Sequence, residues 1–250
     1  MPEGDAEGMK HGAEPRMYYI ICSSPRSGSS LLAQTLYDMG IGDPGEYLNP
    51  SLIDYYQLGG PEHFMQPTPT VYVERLKETR AVNGIFGLKT HYMDFARYPE
   101  IADHVATLFP NAKYISITRR NVLRQAISAA KAAQTMAWNS HLEERKQARF
   151  NYYAILKNVI ITLREIEWWD KFFDRHCIKP LRVVYEDLAE DYEGTLRKVM
   201  GFLGVEGTIP AQPLKKQADS QTEAWVDEFA NYFKRKPGIG WAVRLVSRRW

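Results

Sequence analysis

Apolar residues fall into two alternating rhythms along this chain. Residues 17–22 form a continuous apolar and aromatic run of strand length, the pattern of a central strand covered on both faces. Beyond a polar turn, Leu31, Leu32, Leu36 and Met39 recur at helical spacing and stop at Gly40, where a C-terminal cap glycine belongs. The alternation continues: strands are predicted at 85–90, 113–118 and 181–185, and helices near 71–80, 101–109, 122–138, 142–175 and 192–203. Strands separated by helices predict an α/β fold, a central parallel sheet flanked by helices with right-handed crossovers. Such sheets hold ligands at the carboxyl ends of their strands.

Two stretches break the rhythm, the Pro/Gly-rich segment 41–70 and the chain after about Gly207. Long irregular loops beside a strand-end site serve as substrate walls, or as arms that join subunits. At 250 residues the expectation is one domain, residues 17–250, behind a polar leader at 1–16 that lacks the apolar segment of a secretory signal. No apolar run approaches the roughly 18–20 residues that span a bilayer.

The 32 basic and 30 acidic residues leave a formal charge of +2, which argues against a surface committed to nucleic acid, so any anion site must be local. Cys22 and Cys177 lie at unrelated points, which predicts no disulfide framework and a reducing, cytoplasmic setting.

The turn after the first strand reads Ser24-Pro25-Arg26-Ser27-Gly28-Ser29-Ser30 and opens a helix. An anion loop needs converging backbone N–H groups, small residues and a helix N-terminus. Gly28 permits close approach, Ser27, Ser29 and Ser30 bring hydroxyl donors, and Arg26 brings a fixed positive fork. The nucleoside triphosphatase pattern G-x-x-x-x-G-K-[ST] is absent, because no lysine follows Gly28. Nor does a strand end carry an acidic magnesium ligand: they read Lys89-Thr90-His91 and Arg119-Arg120. The loop reads as P-loop-type, binding phosphate with no metal. A capped helix start is the plainer alternative.

In TRRNVLRQAISAAKA, Arg120 ends a strand and Ser128 follows on the next helix, slightly more than two turns away, so both can face one anion. A solvated helix terminus would use the same arginine.

PRSGSS, together with Arg120-Asn121 and Ser128, resembles the two phosphate sites of sulfotransferases that use 3′-phosphoadenylyl sulfate (PAPS). DPGEYLNP, RRNVLRQAISAAKAAQTMAW and KQADSQTEAWVDEF extend the resemblance to the bacterial carbohydrate branch typified by the trehalose 2-sulfotransferases, over residues 17 to about 233. The resemblance implies that Pro25, Arg26, Ser27, Gly28, Ser29 and Ser30 hold the 5′-phosphosulfate of PAPS and that Arg120 and Ser128 hold its 3′-phosphate. It implies in-line transfer of a sulfuryl group to a hydroxyl of a carbohydrate or glycolipid.

Two residues can serve as base for that hydroxyl. Glu46 matches the glutamate assigned this role in the trehalose branch, and burial among Tyr47, Tyr55 and Tyr56 is expected to raise its pKa usefully. His91, in Lys89-Thr90-His91, resembles the Lys-x-His of cytosolic eukaryotic sulfotransferases, and departs from the apolar residue the bacterial branch leads one to expect. Lys89 can point to the sulfate or form a structural ion pair. Glu186 and Asp187 are expected to cap a helix. Trp138, Trp225 and the run Lys215-Lys216-Gln217 can touch the nucleotide or pack in the core.

The basic end, KRKPGIGWAVRLVSRRW, is expected to be solvated or to contact an anionic membrane surface peripherally. A homodimer is the default assembly. A P-loop small-molecule kinase and a catalytically inactive, nucleotide-binding relative are the competing readings.

Overall fold

In a computed structural model of the protein, residues 15–52, 56, 68–138, 147–212 and 220–235 are described. Contacts divide the chain into two compact units, one of Met1–Arg120 with Leu163–Pro213 and one of Asn121–Thr162 with Leu214–Trp250.

The first unit holds the sheet. The strands are β1 (Met17–Ser23), β2 (Ile85–His91), β3 (Lys113–Thr118) and β4 (Leu181–Val184), in the order β2-β1-β3-β4. Every pairing is parallel, with Ser23 opposite His91 and Thr118 opposite Val184. The strands therefore end along one edge, at the start of the segments expected to hold ligands.

Helix α1 is Ser29–Asp38, α2 Pro69–Arg80, α3 Tyr92–Phe95, α4 Pro99–Asp103 and α5 Val105–Leu108. Then come α6 (Val122–Thr135), α7 (Tyr152–Arg175), α8 (Tyr185–Glu190), α9 (Tyr192–Leu203) and α10 (Ser220–Arg235). Strand alternation splits the core by face. Ile20, Cys22, Phe86 and Leu88 pack with Tyr72 and Leu76 of α2 and with Trp169, Phe172 and Phe173 of α7. Tyr19, Ile21, Ile115 and Ile117 pack with Leu32 and Leu36 of α1 and with Leu196, Val199 and Leu203 of α9. Each such side chain contributes roughly 1.5–3 kcal/mol by leaving water.

The second unit takes α6, the first part of α7 and α10. Tyr152 stacks on Phe229 at 4.7 Å, and Trp225 packs edge-on to Phe150 at 5.8 Å.

The predicted strands and most helices are present, with four differences. The helix expected over 101–109 is interrupted at His104, whose backbone (φ −108°, ψ 18°) leaves the helical region while its Nδ1 bonds the Glu100 carbonyl at 2.9 Å. The helix beginning at 122 stops at Thr135 because Met136 turns left-handed at φ 59°. Tyr185 opens α8 instead of closing β4. The long helix expected from 142 begins only at Tyr152: residues 147–151 are not helical, and Asn151 Oδ1 accepts the Ala154 N–H at 3.0 Å as its cap. Most of the leader and the basic end lie outside the described residues.

Candidate active site

The turn between β1 and α1 is built as an anion cradle. Arg26 is left-handed at φ 64° and Gly28 at φ 90°. A Cβ on Gly28 would stand 2.2 Å from Tyr185 Cδ2, so the position accepts only glycine. Gly28 is the N-cap of α1 and brings no side-chain cap, which leaves the unpaired N–H groups of the first turn for an external acceptor. The Ser27 hydroxyl is fully buried and has no hydrogen-bond partner among the described residues. Burial and the neighbouring Arg119 charge both pull the Arg26 pKa down from its ordinary value, while Tyr185 opposes them. Arg119 itself lies over the Tyr185 ring at 4.7 Å. Crowded guanidinium groups beside an unsatisfied hydroxyl and an uncapped helix start suit a bound anion.

Beside this cradle lies a charged cluster drawn from β2 and the segment after α1. Residue Gly45 bridges to Leu88, and the Lys89 N–H donates to the Gly45 carbonyl at 3.0 Å, which pins DPGEY along the edge of β2. Glu46 then meets Lys89, whose Nζ lies 2.6 Å from Glu46 Oε1 and donates to Ser30 Oγ at 3.0 Å. His91, two residues on and therefore on the same face, places Nε2 3.5 Å from that same carboxylate oxygen. Its Nδ1 lies 3.0 Å from Ser23 Oγ. Asn49 Nδ2 donates to Glu46 Oε2 at 3.3 Å, and the Glu46 N–H donates to the Tyr56 hydroxyl at 2.8 Å.

Both candidate bases thus belong to one cluster, and its electrostatics correct one expectation. Burial does push the Glu46 pKa up, as anticipated. The charge of Lys89, the His91 imidazole and hydrogen bonds from Lys89 and Asn49 outweigh it, and hold the carboxyl at about 2. Burial lowers the His91 pKa, against the pull of Glu46, and Lys89 lowers it further, so the imidazole rests neutral at pH 7. Of the tyrosines expected around Glu46, Tyr47 and Tyr56 are close, with ring centroids 4.9 Å apart, and Tyr55 lies outside the described residues.

Arg120, at the end of β3, pairs with Asp187 at 2.6 Å, and its N–H donates to Glu186 Oε2 at 2.8 Å. Glu186 and Asp187 occupy the first turn of α8 but do not cap it, since its N-cap is Val184 with no side-chain bond; they tie down the end of β3 instead. Ser128 lies half-buried on α6, in the second unit. Trp225 is buried there beside Lys131, whose Nζ is 5.5 Å from its ring, whereas Trp138 is 43% exposed. Residues 215–217 lie outside the described residues.

Sequence reading passed over Arg119, Tyr185, Asn49 and Ser23. Tyr185 and Arg119 were findable by position, each being the first residue after a parallel strand. Ser23 carried no such mark because its partner His91 comes from a distant strand, whereas Asn49 lies three residues from Glu46 and was findable by that spacing.

Residues 18–232 match the Stf0 sulphotransferase family. The chain belongs to that family. Trehalose 2-sulfotransferases of Mycobacterium tuberculosis and Mycolicibacterium smegmatis are each 25% identical to it over 252 residues, spanning 84% of this chain and 93% of theirs. A sulfotransferase from Alicyclobacillus acidocaldarius shares the fold, with TM-score 0.50 and 18% identity over 91% of this chain and 96% of that one. This chain is accordingly an enzyme, a sulfotransferase. Among its described residues no helix is long and apolar enough to cross a membrane.

Proposed function

We propose that this sulfotransferase moves the sulfuryl group of PAPS to a hydroxyl of a carbohydrate or glycolipid. The phosphosulfate of that donor suits the residues present: the orphaned Ser27 hydroxyl, the Gly28 cradle that a Cβ would fill, and the Arg26 and Arg119 guanidinium groups offer more positive charge and more donors than a structural turn needs. The observation that carries the proposal is the double reach of Lys89, at 3.0 Å to Ser30 on the loop helix and 2.6 Å to Glu46. One ammonium thereby joins the donor loop to the acceptor's base. The trehalose specificity of the mycobacterial relatives supports a sugar as acceptor.

In this mechanism Arg26 and the loop N–H groups stabilise the 5′-phosphate that leaves as the S–O bond to it breaks. Arginine keeps its proton at neutral pH, so Arg26 contributes charge and no acid catalysis. Glu46 accepts the hydrogen of the acceptor hydroxyl, orients its oxygen for in-line attack on sulfur, and takes the proton as the new O–S bond forms. By analogy with phosphoryl transfer through a loose transition state, little proton transfer precedes attack, and a weakly basic carboxylate suffices. As Lys89 turns toward the sulfuryl oxygens, its hold on Glu46 slackens and the burial of Glu46 raises its basicity. His91, neutral beside Glu46, fixes the carboxylate and is the second candidate for the proton. The family resemblance assigns the 3′-phosphate to Arg120 and Ser128.

The test is transfer of labelled sulfate from PAPS to a panel of disaccharides and glycolipid extracts by the wild-type protein, Glu46→Gln, Arg26→Ala and Ser128→Ala. Labelled sugar from wild type, with loss in folded Glu46→Gln and Arg26→Ala, is expected. Ser128→Ala should weaken adenosine 3′,5′-bisphosphate while leaving adenosine 5′-phosphate unaffected. Undiminished turnover in Arg26→Ala and Ser128→Ala would remove the site assignment, and magnesium-dependent ATP binding would point to a kinase instead.

A further inference from the structure

Ser23 closes β1 and His91 closes β2, and the parallel register sets them side by side. Their side chains therefore leave the sheet on the same face. The Ser23 hydroxyl is 1% exposed and lies between the Thr90 carbonyl, at 3.2 Å, and His91 Nδ1, at 3.0 Å. A hydroxyl has one hydrogen, and a carbonyl oxygen can only accept. The bond to Thr90 uses that hydrogen and leaves Ser23 Oγ to accept from Nδ1.

The consequence falls on the other ring nitrogen. A neutral imidazole carries one ring proton, so with Nδ1 protonated Nε2 keeps its lone pair. Nε2 faces Glu46 Oε1 at 3.5 Å, beyond the roughly 2.7–3.2 Å of an N–H···O bond. The opposite tautomer would turn the Ser23 hydrogen away from Thr90, and its Nε2–H would meet an oxygen that Lys89 already engages at 2.6 Å. The series from Nδ1–H to Ser23 Oγ, and from the Ser23 O–H to Thr90, satisfies all three groups. Two lone pairs, on Nε2 and on Glu46, are then turned toward each other.

We propose that Ser23 is a positioning residue that holds the His91 proton on Nδ1, so that the bare Nε2 receives the acceptor's proton from Glu46. This role deepens the sulfuryl-transfer reading and rests on it. In the reaction the acceptor O–H bond breaks as its oxygen bonds sulfur, and the bond from sulfur to the 5′-phosphate oxygen breaks, that oxygen keeping the electron pair. The proton goes to Glu46 Oε1 and on to Nε2, because an imidazole is ordinarily the stronger base of the two. The imidazolium so formed, with Lys89 and Glu46 as charged neighbours, returns the Nε2 proton to water after the product leaves. Until then His91 confines Glu46 by contact, with no hydrogen between them, and the distance shortens when the proton enters.

The experiment reads the tautomer directly, by nitrogen-15 NMR of histidine-labelled protein at pH 7.5, with the His91 signals assigned by their loss in His91→Gln. Wild type should show a protonated Nδ1 and an unprotonated Nε2. Ser23→Ala should move the proton toward Nε2 and lower kcat roughly 10- to 100-fold, less than the loss of a general base, because the right tautomer is still sampled. Its KM for PAPS and its melting shift from adenosine 3′,5′-bisphosphate should stay near wild type. Ser23→Thr, which keeps the hydroxyl, should restore both tautomer and turnover. In a His91→Gln background Ser23→Ala should lower kcat little further, because Ser23 acts through His91. A wild-type His91 protonated on Nε2, a Ser23→Ala protein with unaltered tautomer, or losses that multiply in the double variant overturn the proposal. The expected tautomers in a protein that transfers no sulfate would uphold the hold of Ser23 on His91 and reject the proposed reaction. Should Ser23→Ala not fold, the wild-type spectrum and Ser23→Thr decide.

Discussion

Lys89 and Glu46 form a nearly enclosed ion pair, 2.6 Å between Nζ and Oε1, with 7% and 15% of their side chains exposed. Breaking such a pair strands one charge, whereas replacing both partners is far cheaper. Lys89→Met should lower stability by about 3–5 kcal/mol at neutral pH. Part of that loss should be recovered in the double variant with Glu46→Gln, and urea unfolding of the four proteins measures the coupling. Lys89→Arg is not expected to restore turnover, because a planar fork cannot replace a compact ammonium shared by Ser30 and Glu46. Equal losses in the single and double variants would show that the pair is uncoupled.

The same cluster sets a pH expectation. Glu46 is held at about 2, well below the roughly 4.3 of an unfolded chain, and His91 lies below its ordinary value of about 6.5. For both groups the unfolded chain takes up protons first as pH falls. The stability Glu46 contributes is complete above about pH 4.3 and is lost as the pH drops toward about 2. That from His91 begins to be lost below about 6.5. Because both stay in their basic forms in the free enzyme, kcat/KM should hold level from about pH 7.5 down to 6.5. In Glu46→Gln, kcat should fall about 10²- to 10⁴-fold. A wild-type acid limb centred near neutrality would show that neither group rests as described.

How much of this could be read beforehand follows from the range of the interactions. Local signals carried well: the apolar run at β1, the helical spacing of Leu32 and Leu36, and the stop near Gly40 all depend on neighbours in sequence, and each is present. Gly28 and Arg26 were visible because the turn that holds them is contiguous. Glu46 and His91 could be named separately, but not their contact, since DPGEY reaches β2 only through the bridge of Gly45 to Leu88. The depressed Glu46 pKa was missed for the same reason: burial shows in composition, whereas the ammonium that outweighs it arrives from residue 89. Glu165 gave no signal at all. It is one acid on a long helix, and what distinguishes it, near-complete burial close to Asp94, depends on segments distant in sequence.

Gly28 gives a further measurable outcome. An alanine there must hold φ 90° and place its Cβ 2.2 Å from the Tyr185 ring. The backbone alone costs about 1–2 kcal/mol, and the contact forces either the loop or Tyr185 to shift. Gly28→Ala should therefore largely abolish the melting shift given by adenosine 3′,5′-bisphosphate. Shortening the ring in Gly28→Ala/Tyr185→Ala should recover little, because the strained φ remains. Wild-type affinity in Gly28→Ala would mean that the loop does not hold the nucleotide.

Glu165 makes the opposite contribution to pH dependence from that of Glu46. Burial, joined by Asp94, raises its pKa to about 8, while in the unfolded chain it ionises near about 4.3. Between these values the folded protein holds the proton and the unfolded chain does not, so stability declines as pH rises. Its contribution is fully present below about pH 4.3 and is gone above about 8, a span worth on the order of 5 kcal/mol. Gln at this position has nothing to titrate, and Asp94, also raised, to about 6, remains in both proteins and largely cancels from the comparison. Urea midpoints at pH 5 and pH 8.5 should show wild type and Glu165→Gln nearly equal, or wild type ahead, in acid. At alkaline pH the variant should lead by a few kcal/mol. Parallel pH dependence in the two proteins would mean that Glu165 ionises as freely in the fold as in the open chain.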